Sequence, residues 1–166
     1  MLNVTARQEL MRTIVETLGV VVEEARLDFG EDGLSVRVVD PSHVAMIKMD
    51  VDSAAFETWE VDETKLGLEM RKMHQFLSVA GAGDMVELAY NDESGQATIH
   101  IGRIDLNLRP LDNSTLNPPN VPSLELPCGV TIGGSELAQA LRAAKLVGDL
   151  VNLSLTEDTF LSLIHI

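Results

Sequence analysis

Two periods alternate along the chain. Across residues 6–22 the apolar side chains fall at Leu10, Met11, Ile14, Val15, Leu18, Val21 and Val22, the spacing of one helix face, and Thr5 stands where an N-cap belongs. Met70, Met73, Leu77 and Ala80 predict a second, shorter helix that stops at Gly81-Ala82-Gly83. Leu137, Leu141 and Ala144 predict a third, with Ser135 as its N-cap. Elsewhere apolar and polar residues alternate or run β-branched. LSVRVVD (34–40), VAMIKMDV (44–51), MVELAY (85–90), ATIHI (97–101) and IDLNL (104–108) read as strands. Turn sequences such as Glu31-Asp32-Gly33, Asn91-Asp92-Glu93-Ser94-Gly95 and Gly102-Arg103 separate them. The expected class is α+β, with antiparallel sheets and a few helices packed on one face.

The texture changes in LDNSTLNPPNVPSLEL (111–126), which carries three prolines, three asparagines and no periodic run. Proline cannot donate to a sheet ladder, so this stretch is expected to be an extended connector. After it the start of the chain recurs. VTARQELMRTIV and VTIGGSELAQALR share a strand and a helix face, Leu10 matching Leu137 and Ile14 matching Leu141. Further on, Leu27, Phe29, Glu31, Asp32 and Leu34 match Leu153, Leu155, Glu157, Asp158 and Phe160. A separation of about 127 residues is too long for a solenoid repeat and points to a duplicated domain; two unrelated strand–helix–strand units are the alternative. The expected division is a first domain over 1–110, a connecting loop over 111–127, and the start of a second domain over 128–160, where the repeat breaks off. Residues 161–166, LSLIHI, translate a transposon end used in preparing sequencing libraries, so they are expected to be non-native, although their alternation also suits a strand.

Charge changes the picture more than composition does. Twelve Lys and Arg stand against 26 Asp and Glu, a net charge of -14, so on average the surface repels nucleic acid and anionic membranes. Such self-repulsion suits a salty medium that screens it. With 45% apolar residues the chain can build a core, and with 4% aromatics that core is aliphatic. The one cysteine, Cys128, excludes an internal disulfide framework and a multi-cysteine zinc site. No apolar run approaches the ~18 residues of a membrane span and the first residues lack a signal-peptide core, so the expected location is the cytoplasm.

DGLSVRVVDPSHVAMIKMDV resembles the early strands of the PCNA-type sliding clamp, the ring that tethers DNA polymerases to DNA. AGAGDMVELAY, the connector with VPSLEL, and SELAQALRAAKLVGD fit the same family in the same order, and the match is closest to clamps of archaea, the acidity suiting salt-loving ones. The resemblance implies a processivity factor with the DNA-clamp fold: two similar domains per subunit, three subunits in a ring, helices lining the hole. It implies no cofactor and no catalysis. The implied partners are double-stranded DNA, bound regardless of sequence, and polymerase, clamp loader, flap nuclease and ligase, bound through short peptide motifs. A chain that stops within the second domain is expected not to close the homotrimer.

Six of the twelve cations, Arg7, Arg12, Arg71, Lys72, Arg142 and Lys145, lie in or at the ends of the three predicted helices. An acidic body can hold a duplex if its few cations face the phosphates. The resemblance makes Arg12, Arg71, Lys72, Arg142 and Lys145 the candidate DNA contacts; solvated helix faces with pairs such as Arg12 and Glu16 are the plainer reading. Gln75, Ser78 and Leu146 are neutral where relatives are often basic, so each subunit should bind weakly. The resemblance also implies a peptide pocket formed by Val39, His43, Val44 and Met46 with Val121, Pro122 and Leu124; ordinary core is the alternative for each apolar member. A hydrolytic metal cluster of Asp40, His43, Asp50 and Asp52 is disfavoured, because the two ends of that strand lie about 20 Å apart when extended. His74 and His100 have no evident partners in sequence. A checkpoint-type clamp relative, or an acidic interaction module without a DNA role, remains as the alternative function.

Overall fold

Alternation builds both sheets. The computed structural model describes residues 1–121, 123, 125–127, 129–148 and 150–155, and the backbone of 160–164. It divides into two units, Met1–Val121 and Pro122–Ile166.

In the first unit, β1 (Leu2–Arg7) buries Leu2, Val4 and Ala6 and turns the residues between them outward. It lies in a five-stranded antiparallel sheet between β5 (Thr58–Val61) and β7 (Met85–Asn91), followed by β8 (Gln96–Ile101) and β9 (Ile104–Leu108). The second sheet runs β4-β3-β2-β6, from β4 (Met46–Asp52) through β3 (Gly33–Val39) and β2 (Glu24–Phe29) to β6 (Thr64–Glu69). The inward residues of both sheets join Met11, Ile14, Val15 and Leu18 of α1 (Gln8–Gly19) and Met70, Met73 and Leu77 of α2 (Met70–Leu77) in one core. Removing the fully buried Leu18 from water contributes roughly 1.5–3 kcal/mol on its own. Gln8 and Thr64 are the buried polar residues among those described: Thr64 Oγ1 donates to the Asp62 carbonyl at 2.7 Å, and Gln8 Nε2 donates to the Leu77 carbonyl at 3.4 Å and ties the start of α1 to the end of α2. Trp59 seals one end, its indole N–H on the Gly30 carbonyl at 3.0 Å and its rings 4.5 Å from Phe56 and 5.9 Å from Phe29.

Two expected caps are corrected. Thr5 stays in β1, paired with Thr58 and Glu87, because the ladder runs on to Arg7, which occupies the cap position without a side-chain bond. The free amides there are served by geometry instead: the Gln8 N–H donates to the Asp84 carbonyl at 2.8 Å. The carboxylate of Glu9 is held below the usual carboxylate range first by its own backbone N–H and then by the Gly83 N–H, which it accepts at 2.8 Å. Ser135 likewise lies inside its helix, α3 (Gly134–Lys145), with Gly133 at the cap. The second helix ends at Leu77, earlier than Ala80. Strands β2, β5 and β6 add to those read from the pattern. Gly33, with φ of 146°, opens β3 directly after the predicted Glu31-Asp32 turn.

The connector begins by packing on the first unit. Leu111 forms a bridge with Gly67, its N–H reaching the Gly67 carbonyl at 2.8 Å, and Asn113 Nδ2 donates to the Lys65 carbonyl at 2.7 Å. A Cβ on Gly67 would lie 2.7 Å from Leu116 Cδ1 and 2.9 Å from the Leu111 carbonyl oxygen, so only glycine permits this approach.

The second unit holds α3 and a hairpin of β10 (Val151–Leu155) with β11 (Phe160–Ile164), paired Leu155 to Phe160 through Val151 to Ile164. Helix followed by antiparallel hairpin repeats the order α1-β2-β3 at the expected spacing of about 127 residues. The strand expected ahead of this helix does not form among the described residues of 129–133. Ala144 is buried, Leu137 is half-buried and Leu141 is 43% exposed.

Candidate functional site

Helix packing decides which cations are displayed. On α1 the core takes Met11, Ile14, Val15 and Leu18, which leaves Arg12 and Glu16 side by side on the exposed face. Arg12 Nε donates to Glu16 Oε1 at 2.8 Å, the i,i+4 pair its spacing predicts. The same oxygen lies 3.2 Å from His74 Nε2 on α2, so His74 does have a partner. Arg12 is therefore ion-paired on its own helix. His100 also has one: its Nδ1 meets Asp105 across the β8–β9 register. Sequence spacing alone concealed both: the first pair forms between two helices, and the second depends on the hairpin register.

Arg71 and Lys72 are different. Both are exposed in the first turn of α2, and among the described residues neither has a carboxylate within 4.0 Å. A helix N-terminus carries partial positive charge, so each cation there costs roughly 0.3–1 kcal/mol unless something offsets it. Stability does not explain them. Arg71, with Val15, Gly19, Val20 and Met70, lines an open groove of about 570 Å³ beside the end of α1. In the second unit, Arg142 and Lys145 are exposed on one face of the last turn of α3, where the helix dipole favours cations.

The pocket candidates sit on and around the loop between β3 and β4. Asp40 holds that loop: its carboxylate accepts the N–H groups of Ala45 and Val44, each at 2.7 Å, and of Ser42 at 3.1 Å. These bonds, the one from Ala45 foremost, keep the carboxyl below the usual range. His43 takes the left-handed conformation, φ 56°, at the tip. Val44 is 87% exposed and Met46 39%, so neither is core, while Val39 is half-buried at the end of β3. Val121 is 45% exposed, and Pro122 and Leu124 lie outside the described residues.

The acidic residues weighed as metal ligands are all engaged in the backbone or with neighbours. Asp50 accepts from Ser35 Oγ at 2.9 Å and pairs with Lys48 Nζ at 2.8 Å, which lowers its pKa. Asp52 accepts the Ala54 N–H at 2.8 Å and caps the turn Ser53–Ala55. Among the described residues no three His, Cys, Asp or Glu side chains converge on a metal position. One feature went unread: Arg26 and Arg37 line a cleft on the outward face of β2 and β3, and their positions between buried neighbours were the available signal.

Two antiparallel sheets backed by α1 and α2, whose exposed faces carry Arg12, Arg71 and Lys72, have the architecture of the DNA-clamp class of fold. Residues 1–106 match the family described as proliferating cell nuclear antigen, N-terminal domain, and the chain belongs to that family. It is 34% identical over 161 residues to the DNA polymerase sliding clamps of Methanosarcina barkeri and Methanococcoides burtonii, covering 96% of this chain and 66% of each relative. The solved structure of the C-terminal region of FEN-1 bound to A. fulgidus PCNA superposes with a TM-score of 0.91 at 30% identity, covering 96% of this chain and 66% of that one. The chain thus spans about two thirds of the length of the relatives it matches.

Proposed function

We propose that the protein is a subunit of a DNA polymerase processivity clamp, a non-enzymatic ring of three copies that holds duplex DNA inside the cell regardless of sequence. One observation carries the DNA role: Arg71 and Lys72 stand exposed and uncompensated at the unfavourable end of α2, in a chain of net charge -14 that belongs to the clamp family. Arg142 and Lys145 add phosphate contacts, and Arg12 contributes less because Glu16 holds it. The exposed Val44 and Met46, with Val39, His43 and Val121, mark the surface that receives short motifs of polymerase, clamp loader, flap nuclease and ligase; Pro122 and Leu124 are assigned to it by the sequence resemblance alone. An adaptable Met beside a projecting Val suits a helical turn with apolar anchors. Strand β9, last in its sheet and carrying the 42% exposed Ile104, supplies the edge for a neighbouring subunit.

The DNA reading is tested with R71E/K72E in a clamp of the relatives' full length that carries this sequence. Polymerase stimulation should fall, more steeply at low salt and equally on templates of unrelated sequence, because phosphate contacts release counterions and read no bases. Equal stimulation at every salt concentration would leave these cations as a solvated helix face and favour an interaction module without a DNA role.

A further inference from the structure

Three side chains of the helix pair share one oxygen. Arg12 Nε donates to Glu16 Oε1 at 2.8 Å within α1, and His74 Nε2 of α2 lies 3.2 Å from that same atom. All three side chains are about half exposed. Ion pairs so open to water contribute little to stability, and the core residues of α1 and α2 already hold the helices together. What the arrangement does is count charge. One carboxylate balances one cation, so with a neutral imidazole the three side chains sum to zero. With the imidazole protonated they carry one surplus positive charge, and the contact to Glu16 becomes charge-assisted.

The surroundings do not cancel that surplus. His74 and Arg71, one turn apart on α2, line the groove of about 570 Å³ with Glu16 and with Glu23 from the segment after α1. The rest of its wall is apolar, with Val15, Val20, Val22 and Met70. Glu69, where β6 leads into α2, lines a separate pocket of about 50 Å³ with Lys72. On the groove side, then, Glu16 and Glu23 stand against Arg12 and Arg71, two acids against two guanidiniums. His74 alone sets the sign of this face. Imidazole is the side chain that changes charge between about pH 5 and 8. The other described histidines, His43 and His100, sit on the β3–β4 loop and on β8.

We propose that His74 makes the grip of the α1–α2 face on duplex DNA depend on pH: charged, it adds one positive charge facing the phosphates, and neutral, it leaves the face balanced. The inference rests on the reading of these helices as the DNA-facing surface and adds a regulator to it. The sign follows from the charge count. The grip tightens as pH falls through the imidazole range and loosens as pH rises through it, whatever the base sequence.

Two measurements test it. In the isotope-labelled 166-residue chain, the Arg12 Nε–Hε resonance should move between about pH 5 and 8 with the same midpoint as the His74 ring resonances. It should stay in place over that range in H74Q, and E16Q should uncouple the two residues. An Arg12 resonance that does not move, or that moves alike in H74Q, would overturn the proposal. The second measurement follows a clamp of the relatives' full length, carrying this sequence and loaded on stretched duplex DNA, as it slides. It should diffuse about two- to fourfold more slowly at about pH 6 than at about pH 8, the worth of one exposed charge pair. H74Q should remove the difference, H74R should slide slowly at both pH values, and H100Q should respond as the parent does. Equal sliding of the parent at both pH values, or an undiminished response in H74Q, would overturn the proposal. If R71E/K72E still speeds that ring, only the His74 inference falls; if it does not, the DNA reading falls with it.

Discussion

His100 and Asp105 show what a single pair can do at a sheet edge. They face each other across the Gly102-Arg103 turn, the carboxylate bonded to the ring. That bond is the main cause raising the His100 pKa above its ordinary value of about 6.5; burial opposes it, and the charges of Asp105 and Glu87 add less. The folded protein then holds this proton more tightly than the unfolded chain. The stabilisation is therefore complete below about pH 6.5 and fades as pH rises through the raised folded value. In an NMR titration His100 should protonate at higher pH than in the urea-unfolded chain, and H100Q should flatten the fall in stability over that window. Coincident titration midpoints would rule the linkage out. Asp105 lies five residues from His100, so the pair was readable once the hairpin register was fixed, and spacing without register hid it. The Arg12–Glu16 pair was legible because a helix carries its own register.

At the scale of elements, Gly67 joins a sheet to the segment that crosses it. G67A must push either Leu116 or the backbone of Leu111 aside, since both contacts fall within 3 Å. Overpacking of this kind costs about 1–3 kcal/mol, readable as a lower urea midpoint at unchanged m-value. The Leu111 amide should also exchange faster with solvent, and an unchanged exchange rate would show the connector to be held elsewhere. The same glycine explains why β6 was passed over: it interrupts Thr64, Leu66 and Leu68 with a residue of poor strand propensity. Strand β2 escaped because Glu24, Arg26 and Asp28 occupy its outward positions, so its charge outweighed its alternation. Helix faces were legible and their caps were not. Arg7 and Gly133 leave the helix starts without side-chain caps; glycine is an accepted cap residue, but no preference anticipates Arg7.

For the whole molecule the charge balance dominates. A net charge of -14 with few compensating pairs leaves the chain in self-repulsion, relieved as added ions shorten the screening length. The thermal midpoint should rise between about 0.05 and 1 M sodium chloride, by more than a neutral protein of this size gains. A midpoint that falls with salt would mean that attractive pairs outweigh the repulsion. The sequence order carried the family and the fold, since several segments in line outweigh any one. The candidate partner pocket was less legible, because His43, Val44 and Val121 lie in loops whose exposure no periodic pattern sets. Trp59 has a separate consequence. It is the single indole of the chain, packed among Phe29, Phe56 and Gly30 in the first unit, and no tryptophan or tyrosine follows Tyr90. Intrinsic fluorescence therefore reports on Met1–Val121 alone, whereas far-ultraviolet dichroism also senses α3, so the gap between the two melting curves measures the cooperativity between the chain's two units.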